Sequence, residues 1–127
     1  MNYGLEHHKC VLVVDDHPAI RDLLSCILSA LGDYTVSLAA CGTEAWTLVH
    51  VNRPDLLLLD YQLPDMTGLQ LYDALHAQPN FLPLPSILMS ATLPYAELMT
   101  RPLITLQKPF RIESVRAALS QAWENGF

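Results

Sequence analysis

Three carboxylates, a hydroxyl and an ammonium stand at comparable places along this sequence. Asp15 and Asp16 close the apolar run CVLVV, Asp60 closes LLLL, Ser90 follows SILM, and Lys108 comes two residues after LITL. Carboxylates gathered without a cation repel one another and raise each other's pKa. A hard divalent ion removes that conflict. Mg²⁺ is the usual ion where one or two carboxylates, waters and a phosphate complete an octahedron. The Ser90 hydroxyl can donate a hydrogen bond to an anionic oxygen, and the Lys108 ammonium can neutralise its charge. The chemistry this set suggests is a phosphoryl group held on or near a carboxylate.

Taken singly, each residue has an ordinary explanation. An Asp at a strand end is more often a turn residue or a helix N-cap than a reacting group, and Asp16 alone fits either description. Ser90 alone would be a turn residue, and Lys108 before Pro109 a solvated charge. The reading rests on the whole set recurring at successive strand ends.

The elements that must position these groups follow from changes of period and from punctuation. Cys10 to Val14 reads as a strand, and Pro18 suits the first turn of a helix. Ile20, Leu23, Leu24, Ile27, Leu28 and Leu31 then form one helical face closed by Gly32. Tyr34 to Ala39 is a second strand. A helix runs from Gly42-Thr43 to about Val51, before Arg53-Pro54. Leu56 to Leu59 is a third strand and Gly68 to about Ala77 a third helix, with Gly68 permitting a tight backbone turn before it. A Pro-rich connection leads to the strand Ser86 to Met89. The segment TLPYAELMTRP holds at most a short helix between Pro94 and Pro102. Leu103 to Leu106 is a fifth strand, and Ile112, Val115, Leu119 and Ala122 mark a last helix.

Short apolar strands alternating with helices predict an α/β fold, a doubly wound five-stranded parallel sheet with helices on both faces. In open sheets of this kind ligands bind beyond the carboxyl ends of the strands, where the five residues stand. The length of 127 residues suits a single domain, residues 1–127, with one hydrophobic core.

Composition narrows the function classes. A formal net charge of −6, with seven scattered Lys and Arg residues, argues against a nucleic-acid surface. No apolar run approaches the ~18 residues of a membrane span, and the polar stretch Met1 to Lys9 lacks a signal peptide's apolar middle. A cytoplasmic protein is expected. Cys10, Cys26 and Cys41 share no metal-ligand spacing and are expected as buried reduced thiols. His7 and His8 are expected in a solvated tail.

The motifs Val13-Val14-Asp15-Asp16-His17-Pro18, Asp60 with Leu63-Pro64-Asp65-Met66-Thr67-Gly68, Ser90-Ala91 and Lys108-Pro109-Phe110 resemble those of the receiver domain of two-component response regulators. The likeness is to the chemotaxis-regulator type and covers residues 9–125. It implies a flavodoxin-like (βα)5 fold. It makes Asp60 the nucleophile and phosphoacceptor. Asp15 and Asp16 would hold Mg²⁺ directly or through water, with Asp60 and the backbone carbonyl of Gln62 as further ligands. Ser90 and Lys108 would contact the acyl phosphate oxygens. The resemblance implies a sensor histidine kinase or a histidine phosphotransfer protein as donor, and an output protein or a missing output domain as recipient. Its only catalysis would be its own phosphorylation and slow hydrolysis.

Two departures bear on the output. Receivers commonly carry Tyr or Phe three residues before the lysine, a ring that turns inward on activation, where this chain has Thr105. The interval from Ser90 to Lys108 is about four residues shorter than usual, roughly one helical turn. The fourth helix is therefore expected to be short, displaced or absent, which puts in doubt the usual output face of fourth helix, fifth strand and fifth helix. Tyr95, Leu98 and Met99 would pack over the sheet edge or form a partner-binding patch.

Three rival readings fit these residues less well. A phosphorylation-independent interaction module has no need of mutually repelling carboxylates. A flavodoxin-like cofactor binder would place Gly, Ser or Thr donors where Asp15-Asp16-His17-Pro18 stands. A Mg²⁺-dependent phosphatase with an Asp nucleophile would carry a second Asp where Gln62 lies.

Overall fold

The computed structural model describes residues 8–124. Its strands are β1 (Lys9–Val14), β2 (Tyr34–Ala39), β3 (Leu56–Asp60), β4 (Ser86–Ser90) and β5 (Ile104–Gln107). Its helices are α1 (Pro18–Leu31), α2 (Gly42–Val51), α3 (Gly68–His76), α4 (Tyr95–Leu98) and α5 (Ile112–Glu124). The strands are all parallel, in the order β2-β1-β3-β4-β5. This is the doubly wound sheet expected from the sequence. Its order reverses between β1 and β3, so the crevice at their carboxyl ends lies between Asp15 and Asp60.

The leucine run of β3 divides between two cores. Leu56 and Leu58 join Val11, Val13, Ile87 and Met89 beneath α1 and α5. Leu57 and Leu59 join Leu12, Val14 and Leu88 beneath α2 and α3. Successive strand side chains point to opposite faces, and both faces here are covered, so the strand is apolar throughout. All five β3 residues are buried, Asp60 included.

Helix starts depend on contacts of very different range. Pro18 stands in the first turn of α1, as expected. Helix α3 has a local capping box. The Gln70 backbone N–H donates to the Thr67 hydroxyl at 3.1 Å, and the Thr67 N–H donates to the Gln70 side chain at 2.9 Å. Helix α2 has no cap from its own N-cap residue, Cys41. The carboxylate of Asp65 caps it from the β3–α3 loop, accepting from the Gly42 N–H at 2.8 Å, the Thr43 N–H at 2.9 Å and the Thr43 hydroxyl at 2.7 Å.

Three expectations need correction. Cys26 is exposed and Cys10 and Cys41 are half-buried free thiols. Cys26 lies off the apolar stripe of α1, so the helix turns it to solvent. Tyr95 and Met99 do not pack over the sheet edge: they are 69% and 85% exposed, and only Leu98 of that group leans on the core. His8 is bonded to the Thr35 hydroxyl and lies 3.3 Å from Asp33, so it is not a free tail residue. His7 and residue 125 lie outside the described residues. Helix α4 is short, as expected, with four residues and none buried. No described helix is long and apolar enough to cross a membrane.

Candidate functional site

Strand geometry brings the predicted residues to one edge. Asp15 follows β1 directly and is fully buried; its carboxylate Oδ1 accepts the His17 backbone N–H at 2.9 Å. The Lys108 ammonium donates to the other oxygen, Asp15 Oδ2, at 2.8 Å, and lies 3.3 Å from Asp60 Oδ1. Lys108 is aligned by its own backbone, whose N–H donates to the Ser90 carbonyl at 2.9 Å. One cation thus spans the ends of β1 and β3 from the far side of the sheet.

The charges follow from this arrangement. Burial and then the neighbouring Asp15 push the Asp60 carboxyl above its ordinary pKa, against the opposing pull of Lys108. Burial alone would lower the Lys108 ammonium, but its bond to Asp15 and the charges of Asp60 and Asp15 leave it raised. His17, exposed at the rim, is raised by its hydrogen bond to Asp15 and by the charge of Asp16. Its Nδ1 lies 2.9 Å from Asp15 Oδ1 and 3.1 Å from Asp16 Oδ1. Lys108, and His17 when protonated, therefore partly offset three carboxylates.

A cavity of about 770 Å³ opens over this edge, with Asp60 and Lys108 in its wall and Asp16, Gln62, Ser90 and Thr92 around it. Asp15 lies behind the wall. Carboxylate oxygens of Asp15, Asp16 and Asp60 and a His17 ring nitrogen all fall within 4.8 Å of one another. Hard oxygen donors so closely spaced fit a hard divalent cation. Among the described residues no backbone hydrogen bond uses the Gln62 carbonyl. The loop it belongs to is fixed by Leu63 N–H to the Met66 carbonyl at 3.1 Å and Gly68 N–H to the Tyr61 carbonyl at 2.6 Å.

Ser90 stands at the cavity wall, but its hydroxyl donates to the Thr92 carbonyl at 2.6 Å. Gly68 has a stricter role than easing a turn. A Cβ there would overlap the Asp60 carbonyl oxygen, so the residue permits close approach of the loop to β3. Sequence reasoning left three residues unassigned: His17, Tyr61 and, as a helix cap, Asp65. Adjacency to the acidic residues was the only signal for the first two. Thr105 is exposed on β5 and lines a groove of about 470 Å³ with Ser114, Ala117 and Gln121 of α5.

The family description "Response regulator receiver domain" matches residues 11–120. The chain belongs to that family. Among curated relatives, this receiver is 35% identical over 81 residues to Response regulator Rre1 of Synechocystis, covering 64% of this chain and 35% of that protein. It is 42% identical over 74 residues to Response regulator MprA of Mycobacterium sp. (strain KMS), covering 58% and 32%. The receiver thus spans about a third of the length of the curated relatives it matches. Among solved structures, chemotaxis protein CheY4 of Vibrio cholerae superposes with a TM-score of 0.81 at 30% identity, covering 91% of this chain and 98% of that one. The receiver resemblance and the fold expected from the motifs agree with these matches.

Proposed function

We propose that this receiver accepts a phosphoryl group on Asp60 from the phosphohistidine of a sensor histidine kinase or a histidine phosphotransfer protein. The observation that carries the reading is Lys108 bridging Asp15 at 2.8 Å and Asp60 at 3.3 Å in the wall of an open cavity. In the transfer an Asp60 carboxylate oxygen attacks phosphorus, the donor's P–N bond breaks, and the imidazole nitrogen departs with the bonding pair. An acyl phosphate remains on Asp60.

Each group has a part in that step. Burial makes the Asp60 carboxylate more basic than a solvated one, and Lys108 keeps a positive charge beside it as negative charge shifts outward. The rigid, doubly covered β3 holds the nucleophile in place, which suits a reaction governed mainly by positioning and charge. Ser90 lines the cavity, where its hydroxyl, once released from the Thr92 carbonyl, would donate to a phosphoryl oxygen. Asp15, Asp16, Asp60 and the Gln62 carbonyl would hold Mg²⁺. That ion, when bound, would supply charge neutralisation for the carboxylates and the phosphoryl oxygens.

In this reading the protein is a cytoplasmic switch whose only catalysis is its own phosphorylation and dephosphorylation. Its signal passes to a separate protein or to an output domain of a longer chain. MtrA of Mycolicibacterium smegmatis, 35% identical over 81 residues, is named a DNA-binding response regulator. Nothing in the charge of −6 equips these residues to bind DNA themselves.

Incubation with Mg²⁺ and an acyl phosphate or phosphoramidate, followed by intact mass, tests the assignment. One phosphoryl group should appear, its yield should collapse without Mg²⁺, and Asp60→Ala should remain unlabelled. Equal labelling of Asp60→Ala would refute it.

A further inference from the structure

The segment from Ala91 to Leu103 lies beside the phosphoryl site yet has little apolar anchorage. Its helix α4 has four residues, none buried, and no side-chain N-cap. Leu98 and Leu103 are only partly buried against the core. Polar attachments therefore decide where this strap sits. At its start the Ser90 hydroxyl holds the Thr92 carbonyl at 2.6 Å. At its end the Arg101 guanidinium grips Asp73 of α3 with two bonds of 2.8 and 2.6 Å, and also bonds the Glu97 carbonyl.

Between them lies a contact that joins the strap to the phosphoacceptor strand itself. The Tyr61 hydroxyl donates to Glu97 Oε1 at 2.8 Å. Tyr61 follows Asp60 directly. Its backbone is fixed on both sides, its N–H donating to the Met89 carbonyl at 2.8 Å and its own carbonyl accepting from Gly68. The ring thus projects from a rigid base, and Glu97 is the movable partner.

We propose that the Tyr61–Glu97 hydrogen bond is a latch that holds the 91–103 strap in its unphosphorylated position and opposes withdrawal of Ser90 from Thr92. Tyr61 is then a positioning residue acting through Glu97. The proposal rests on the reading of Asp60 as phosphoacceptor, because it is a phosphoryl group that would draw the Ser90 hydroxyl away. Once that hydroxyl leaves, the Thr92 carbonyl loses its donor. The strap keeps its contacts at Glu97 and Arg101, a 3.3 Å bond from the Gln107 side chain to the Ala91 carbonyl, and the partial burial of Leu98 and Leu103. An interaction made in one state alone biases the equilibrium toward that state, so removing the latch must favour the phosphorylated form. A residue that merely supported the fold would have the opposite effect.

Beryllofluoride with Mg²⁺ serves as the phosphoryl probe, and affinity is measured on the intact chain. Tyr61→Phe and Glu97→Ala should each bind it about two- to tenfold more tightly than wild type, the range of one hydrogen bond. The double variant should gain no more than either single one. Glu97→Gln, which keeps an acceptor, should stay near wild type. In the free proteins, amide exchange between Ala91 and Leu103 should be faster in Tyr61→Phe and Glu97→Ala, with the strands unchanged. Unaltered or weaker affinity, additive effects, or unchanged exchange would overturn the latch. Failure of the wild type to bind the probe would refute the phosphoacceptor reading, and the latch with it, while the exchange comparison would still show whether the Tyr61–Glu97 bond holds the strap.

Discussion

Gly68 shows how narrowly a single position can be constrained by its surroundings. The atom its Cβ would strike is the Asp60 carbonyl oxygen, with the Leu59 side chain close behind. Alanine normally gains about 1 kcal/mol over glycine inside a helix. Here the obstacle is backbone of a buried central strand, which shifts only at a cost, and overpacking of this kind typically costs about 1–3 kcal/mol. The steric term wins, so Gly68→Ala should lower the urea midpoint of unfolding. It should also reduce phosphoryl labelling in the fraction still folded, because relief of the clash must displace Asp60. A variant with unchanged midpoint and unchanged labelling would show that the loop has slack. The glycine itself was visible in the sequence, but its reason was not, since the conflicting oxygen lies eight residues away in the chain and in contact only after folding.

Helix α2 draws its N-terminal cap from another element. Three donors at its start converge on the Asp65 carboxylate, and these bonds, led by the Thr43 hydroxyl, lower its pKa from 3.8 to about 2. Asp65→Ala should cost about 1 kcal/mol, the usual value of an N-cap. The sign of the pH dependence is fixed by the direction of the shift. A carboxyl depressed in the fold contributes stability that is complete above its unfolded pKa and lost as pH falls through the folded one. The stability gap between wild type and Asp65→Ala should thus be constant near neutrality and shrink as pH drops from about 4 towards 2. Urea titrations of both proteins across that range would check it, and a gap that widened in acid would contradict the cap. Elements were legible where a local pattern determines them, as in the leucines of β3 or the stripe of α1. The cap on α2 was not, because donors at Gly42 and Thr43 and acceptor at Asp65 meet only through packing. The same holds for Tyr61 and Glu97. The exposure of Cys26 has the converse cause: cysteine as a residue type favours burial, but its place off the helical stripe, already visible in the sequence, turns it to solvent.

At the scale of the whole molecule, the sheet places buried negative charge at its functional edge. Asp60 is pushed up chiefly by burial and then by Asp15, so its ionised form opposes folding at neutral pH despite Lys108. Asp60→Asn keeps the shape and removes that charge. Lys108 retains Asp15 at 2.8 Å, so the substitution leaves no buried cation alone. Without Mg²⁺, Asp60→Asn should therefore melt at a higher temperature than wild type. An ion held by the acidic residues of the native state would stabilise that state by mass action. Millimolar-scale Mg²⁺ should raise the wild-type melting temperature, and raise that of Asp60→Asn less, since the variant would lack one charged ligand of the proposed site and the repulsion an ion there would relieve. The gap between the two proteins should narrow or reverse. Melts of both, with and without Mg²⁺, provide the measurement. A wild type more stable than Asp60→Asn in the absence of the ion would mean that the Lys108 contact outweighs burial, and equal shifts in the two proteins would place the ion elsewhere than at Asp60.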